Sequence, residues 1–212
     1  MPRSSHNKRK KLHNQGMTLV EMIVTFALLS IFMVCATMII SATVQTYHRS
    51  KGLSYGMQVG DMLVSRITKE LESAQCDVTK MEKVAGEEVE DVAMLVEKNV
   101  IQFTNKQGSH VSFELVQHDG RQYLAEKYYE VRDEGGNVAS KEILWTFDDK
   151  AYMGYEVKNM EFIIKDADHP SIVCVALTLD NGTYGQYEIN EYIECYQFDN
   201  SEKESYIKYY PD

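Results

Sequence analysis

The sequence predicts an α+β fold in which a long N-terminal helix, membrane-spanning and then amphipathic, packs on an antiparallel β-sheet domain. Three observations carry this. Met22 to Tyr47 is a run of 26 residues without a formally charged side chain. As a helix at about 1.5 Å per residue it would reach roughly 39 Å, more than the ~30 Å of a bilayer's hydrocarbon core. No proline stands between Met17 and Pro170, so nothing obliges the helix to stop where the charge-free run stops. Beyond about residue 92 the pattern shifts to short runs of branched and aromatic residues separated by turn signals, which is the signature of strands.

Residues 1–16 form a leader with five basic groups (Arg3, Lys8, Arg9, Lys10, Lys11) and no acid. Basic residues before a spanning helix stay cytoplasmic, which places everything beyond about residue 48 outside. Residues 17–48 are the spanning half of the helix. Their apolar run is too long for a secretory h-region of about 7–15 residues, and no small-residue cleavage site follows it. Residues 49–77 read as the amphipathic half, with an apolar stripe at Leu53, Met57, Leu63, Ile67, Leu71 and Ala74. Gly52, Gly56 and Gly60 recur on one face. Two readings stay open for them: close helix packing against another subunit (or a segment that stretches on assembly), and a locally weak helix, since each glycine costs about 1 kcal/mol relative to alanine.

Residues 78–91, with Gly86-Glu87-Glu88 and Glu90-Asp91, are expected to be a solvated acidic linker. Residues 92–212 are the strand-rich domain. Strands are predicted around Val100–Phe103, Val111–Leu115, Gln122–Leu124, Ile143–Trp145, Met160–Ile164 and Ile172–Leu179. Turns fall at Lys106-Gln107-Gly108, Asp119-Gly120, Gly135-Gly136-Asn137 and Asn181-Gly182, for an antiparallel meander of six to eight strands. In the last hairpin a two-residue turn would set Val175 against Glu188. An odd-length loop that pairs Val175 with Ile189 and Leu177 with Tyr187 suits a half-buried sheet better. Cys195 then falls opposite residue 168 or 169, too far along the strand from Cys174 for a disulfide.

Residues 17–212 hold 17 basic against 32 acidic side chains, about −15, so nonspecific nucleic-acid binding is not expected. With Cys35 inside the apolar helix, Cys76, Cys174 and Cys195 are expected to be small buried residues. His110, His118 and His169 read as solvated loop histidines. No nucleophile elbow, phosphate loop, zinc-protease motif or paired C-x-x-C stands in the chain, so neither an enzyme nor a cofactor or metal site is expected.

One feature is left over. Glu21 is a lone carboxylate at the head of the spanning helix, five residues beyond Gly16, where the basic leader ends. Gly16-Met17-Thr18-Leu19-Val20-Glu21 resembles the class III signal of type IV prepilins and pseudopilins. The resemblance covers about residues 8–45, with methionine where the family usually has phenylalanine. It implies that prepilin peptidase cuts between Gly16 and Met17 and methylates the Met17 amine, and that Glu21 serves assembly. It implies packing through the apolar helix with other pilin-like subunits on an inner-membrane assembly platform. The long strand-rich remainder is most similar to the larger minor pseudopilins. The chain would then be a structural subunit of a type IV pilus, a competence pilus or a type II secretion pseudopilus. The alternative is an unprocessed single-pass anchor carrying an extracytoplasmic binding module.

Overall fold

The structure, a computed structural model, describes residues 17–130, 141–198 and 201–211. The leader and the Gly135-Gly136-Asn137 turn lie outside the described residues. The chain divides into two compact units, Met1–Tyr47 and His48–Asp212. One helix, α1 (Leu19–Leu71), begins in the first and ends in the second. It is continuous through Gly52, Gly56 and Gly60, so the glycines do not break it.

In the first unit the helix is long and apolar enough to cross a membrane. Every residue from 17 to 47 is exposed except Ala36, which is half-buried.

The second unit is α+β. Strands β1 (Thr79–Glu82) and β2 (Glu88–Val92) pair as a hairpin. Strands β3 (Met94–Glu97), β4 (Val100–Thr104), β5 (His110–His118), β6 (Arg121–Glu130) and β7 (Lys141–Thr146) form an antiparallel meander. A second meander joins β8 (Glu156–Ile164), β9 (Ile172–Asn181) and β10 (Gly185–Glu194). A short helix, α2 (Ser201–Glu204), leads to β11 (Ile207–Tyr210), which pairs with β3 in parallel and makes the larger sheet six-stranded. The expected single antiparallel meander is thus three sheets with one parallel pair. The difference arises because β11 adds to β3 from more than a hundred residues away.

One core joins the helix to both larger sheets: Val59, Leu63, Ile67, Leu71 and Ala74 pack with Phe103, Phe113, Met160, Phe162 and Val175, among others. Leu63, Ile67, Leu71 and Ala74 are buried as expected of the apolar stripe, and only its first two members are not. Leu53 and Met57 are 58% and 47% exposed, while Gly52, Gly56 and Val59 are buried.

The expected linker is also corrected. Met81, Val89 and Val92 alternate with charged residues and pack with Leu95 in a second small core. Strand β3 is therefore buried on both faces, with Met94 and Val96 in the main core and Leu95 under the hairpin. The charges that suggested a solvated loop pair across the hairpin, Lys80 with Glu90 at 3.2 Å and Lys83 with Glu87 at 2.9 Å.

The β9–β10 loop has three residues, an odd number, but the register lies two positions from the expected one. Leu177 faces Ile189, Leu179 faces Tyr187 and Val175 faces Glu191. Side-chain faces are unchanged by a two-residue shift, so the apolar pairing survives. Cys195 consequently donates its N–H to Ser171 and not to residue 168 or 169. The Asp119-Gly120 turn is a two-residue hairpin with positive φ at both positions (49° and 77°), where Asp and Gly are tolerated.

Candidate functional site

At the head of α1, Thr18 and Glu21 form a reciprocal cap. The Thr18 N–H and hydroxyl donate to Glu21 Oε2 at 3.1 and 3.2 Å, and the Glu21 N–H donates to Thr18 Oγ1 at 3.3 Å. This is a capping box, which satisfies backbone donors that a helix start leaves open. The acid at this position also faces the positive end of the helix dipole. The sequence marked Glu21 as needing a reason, and the Thr18-x-x-Glu21 spacing was the signal for this one. Met17 is exposed, and Gly16 lies outside the described residues.

Gly52, Gly56 and Gly60 face the chain's own β9–β10 hairpin. A Cβ on Gly52 would meet Tyr184 Cβ at 2.5 Å, and one on Gly56 would meet Tyr187 Cβ at 2.8 Å. Gly60 has more room, with Tyr187 Cε1 at 3.1 Å. The Tyr155 hydroxyl donates to the Gly52 carbonyl at 2.8 Å. The face read as open to another subunit is therefore filled from within: the helix needs glycines at 52 and 56 because the Tyr184 and Tyr187 side chains approach its backbone too closely for a Cβ.

Sequence reasoning missed a charged cluster between α1 and β6. Glu126 is completely buried, and Arg66 donates to its Oε2 through Nε at 2.8 Å, with a terminal nitrogen in ion-pair contact with the same oxygen at 2.7 Å. Arg66 also donates to the Tyr128 hydroxyl and stacks its guanidinium 4.7 Å from the Trp145 ring centroid. Burial opposes the Arg66 charge, but Glu126 more than offsets it and the net direction is upward. Burial pushes the Glu126 carboxyl up while Tyr128 and Arg66 hold it back. The available signal was Glu126 itself, on the same side of its strand as Leu124.

His110 is corrected as well. It lies in β5, not in a loop, and lines a polar cavity of about 440 Å³ with Lys80, Lys83, Gln102, Ser112 and Glu114. Burial lowers its pKa. His118 and His169 are exposed. All four cysteines are free, and Cys174 and Cys195 are buried, with burial pushing the Cys195 thiol up to about 12. Among the described residues no group of three or more His, Cys, Asp or Glu is placed to hold a metal.

Comparison with known proteins bears on the helix head. No curated protein matches the chain. Among solved structures, the chain is similar to one in the crystal structure of the GspK-GspI-GspJ complex from the enterotoxigenic Escherichia coli type 2 secretion system. Identity is 14% and the TM-score 0.39, over 66% of this chain and 97% of that one. Residues 11–36, which contain the Gly16–Glu21 segment and the start of α1, match the prokaryotic N-terminal methylation motif.

Proposed function

We propose that this chain is a minor pseudopilin-like structural subunit. In this reading prepilin peptidase cuts between Gly16 and Met17, the Met17 amine is methylated, and the apolar helix carries the subunit into a filament with other pilin-like subunits. The observation that carries the reading is the N-terminal methylation motif at residues 11–36, set on a helix that is exposed along residues 17–50 save for Ala36. Such a surface needs lipid or other helices around it. The glycine face supports giving inter-subunit packing to this apolar stretch, because Gly52, Gly56 and Gly60 are already covered.

Glu21 has a place in the same reading. A carboxylate within a spanning helix costs about 2.5–3.5 kcal/mol at the centre, less near an end. The Thr18 cap reduces that cost in the free subunit, and a neighbouring N-terminal amine would offset it in a filament. Glu21→Ala should therefore insert normally and be depleted from sheared filaments.

The direct test is the N-terminal sequence of the protein extracted from the membrane. The expected result is a chain starting at methylated Met17, with Gly16→Phe left uncut. A chain that still begins at Met1 would favour an unprocessed membrane-anchored module.

A further inference from the structure

Beyond the filament reading, the second unit has a chemically distinct end. Along α1, Gly52 is covered by Tyr184, Gly56 by Tyr187, and Gly60 by Tyr187 and Ile189. Strand β10 therefore runs alongside the helix with the hairpin loop Gly182-Thr183-Tyr184 at the end nearest residue 48. The Tyr184 ring lies 6.4 Å from His48 and 6.0 Å from Tyr55, and Lys51 Nζ sits 5.3 Å from the Tyr55 ring. Gly182, Thr183, His48, Arg49 and Leu53 are exposed there.

The helix at this end carries basic side chains, with Asp180 of β9 the acid that acts on Tyr155 beside it. Residues 48–212 hold 17 basic and 31 acidic side chains, yet from His48 the first acid is Asp61 and the first two formal charges are Arg49 and Lys51. In sequence, His48, Arg49 and Lys51 follow directly on the charge-free run that ends at Tyr47. The polar headgroup layer on each side of the core is roughly 5–8 Å thick. Tyrosines and basic side chains are the residues that settle in that layer, and each basic group near an anionic surface is attracted to it.

We propose that His48, Arg49, Lys51 and the Gly182–Tyr184 hairpin tip form a collar that rests among the headgroups of anionic phospholipids. The collar follows the charge-free run without a break, and its positive charge complements the lipid. The hairpin tip is then a second point of contact with the bilayer besides the helix. The proposal rests on residues 22–47 spanning a bilayer.

The test uses the full chain in vesicles. Co-flotation with vesicles reports the span. Thr183→Trp places an indole at the hairpin tip, and wild-type Trp145 is the reference, since its partner Arg66 lies about 21 Å along the helix from Gly52, which Tyr184 covers. In phosphatidylcholine–phosphatidylglycerol vesicles, a headgroup-nitroxide lipid should quench the Thr183→Trp emission and leave Trp145 unquenched. Adding Arg49→Gln and Lys51→Gln should weaken the anionic-lipid dependence by about fivefold per charge. Flotation without quenching at Thr183→Trp overturns the collar and leaves the span standing. Quenching that is identical in neutral and anionic vesicles overturns the lipid assignment. Failure to float removes the span and the collar together.

Discussion

Because the Gly52 and Gly56 contacts are made to Cβ atoms of Tyr184 and Tyr187, they cannot be relieved without moving the backbone of the β9–β10 hairpin. Gly52→Ala and Gly56→Ala should each destabilise the second unit by about 1–3 kcal/mol through overpacking, even though alanine favours helix by about 1 kcal/mol. Gly60→Ala meets a ring atom of Tyr187 at 3.1 Å and Ile189 at ordinary contact distance, so it should cost less than either; denaturant titration of the three variants checks the order. Arg66 and Glu126 pose the opposite problem, a charge that must not be left alone. Arg66→Ala strands the Glu126 carboxylate in a site with no exposure and should cost about 3–5 kcal/mol. Arg66→Met with Glu126→Leu should recover most of that loss, because an apolar pair of similar volume removes the desolvation cost of both ions. A melt of the single and double variants decides whether the cluster stabilises by attraction or only by mutual need.

At the scale of elements, the β1–β2 hairpin behaves as sheet cover. Met81 is buried against Val92 and Leu95, so Met81→Ala should cost about 2–5 kcal/mol, where a solvated linker would lose less than about 0.5. The same hairpin helps to bury His110 of β5, which gives the unit a pH signature. The ordinary histidine value is 6.5, and burial depresses it in the folded state. Between those two values the unfolded chain binds more protons, so stability falls as pH drops through 6.5 toward the folded value. His110→Gln should flatten that part of the stability curve while leaving the curve above pH 7 in place.

For the whole molecule, the covalent boundary and the core boundary differ. Val59, Leu63, Ile67, Leu71 and Ala74 are completely buried in the core of the second unit. A fragment of residues 48–212 should unfold in one cooperative transition, insensitive to chelators. A fragment of residues 78–212 would leave the same core uncovered and should bind a hydrophobic dye and lack a sharp transition. Calorimetry of both fragments tells whether the helix belongs to the fold or merely tethers it.

The sequence by itself determined a helix long and apolar enough to cross a membrane, its amphipathic continuation, the α+β class and the motif at the helix head. These are local properties: a long apolar run, a change of period from helical to alternating, and fixed offsets between Gly16, Met17 and Glu21. Six strands were legible for the same reason, since Val100–Phe103 and the runs like it carry their own alternation. The tertiary structure alone decided what depends on partners far along the chain. Leu53 and Met57 look like core and are exposed because Tyr184 and Tyr187 select the glycine face instead. The hairpin β1–β2 hid behind charges that only pairing neutralises, and β11 became a strand only by lying beside β3. Arg66 and Glu126, sixty residues apart, carry no mutual signal until packing removes water from between them. Burial is a property of the assembled core, and no window of residues contains it.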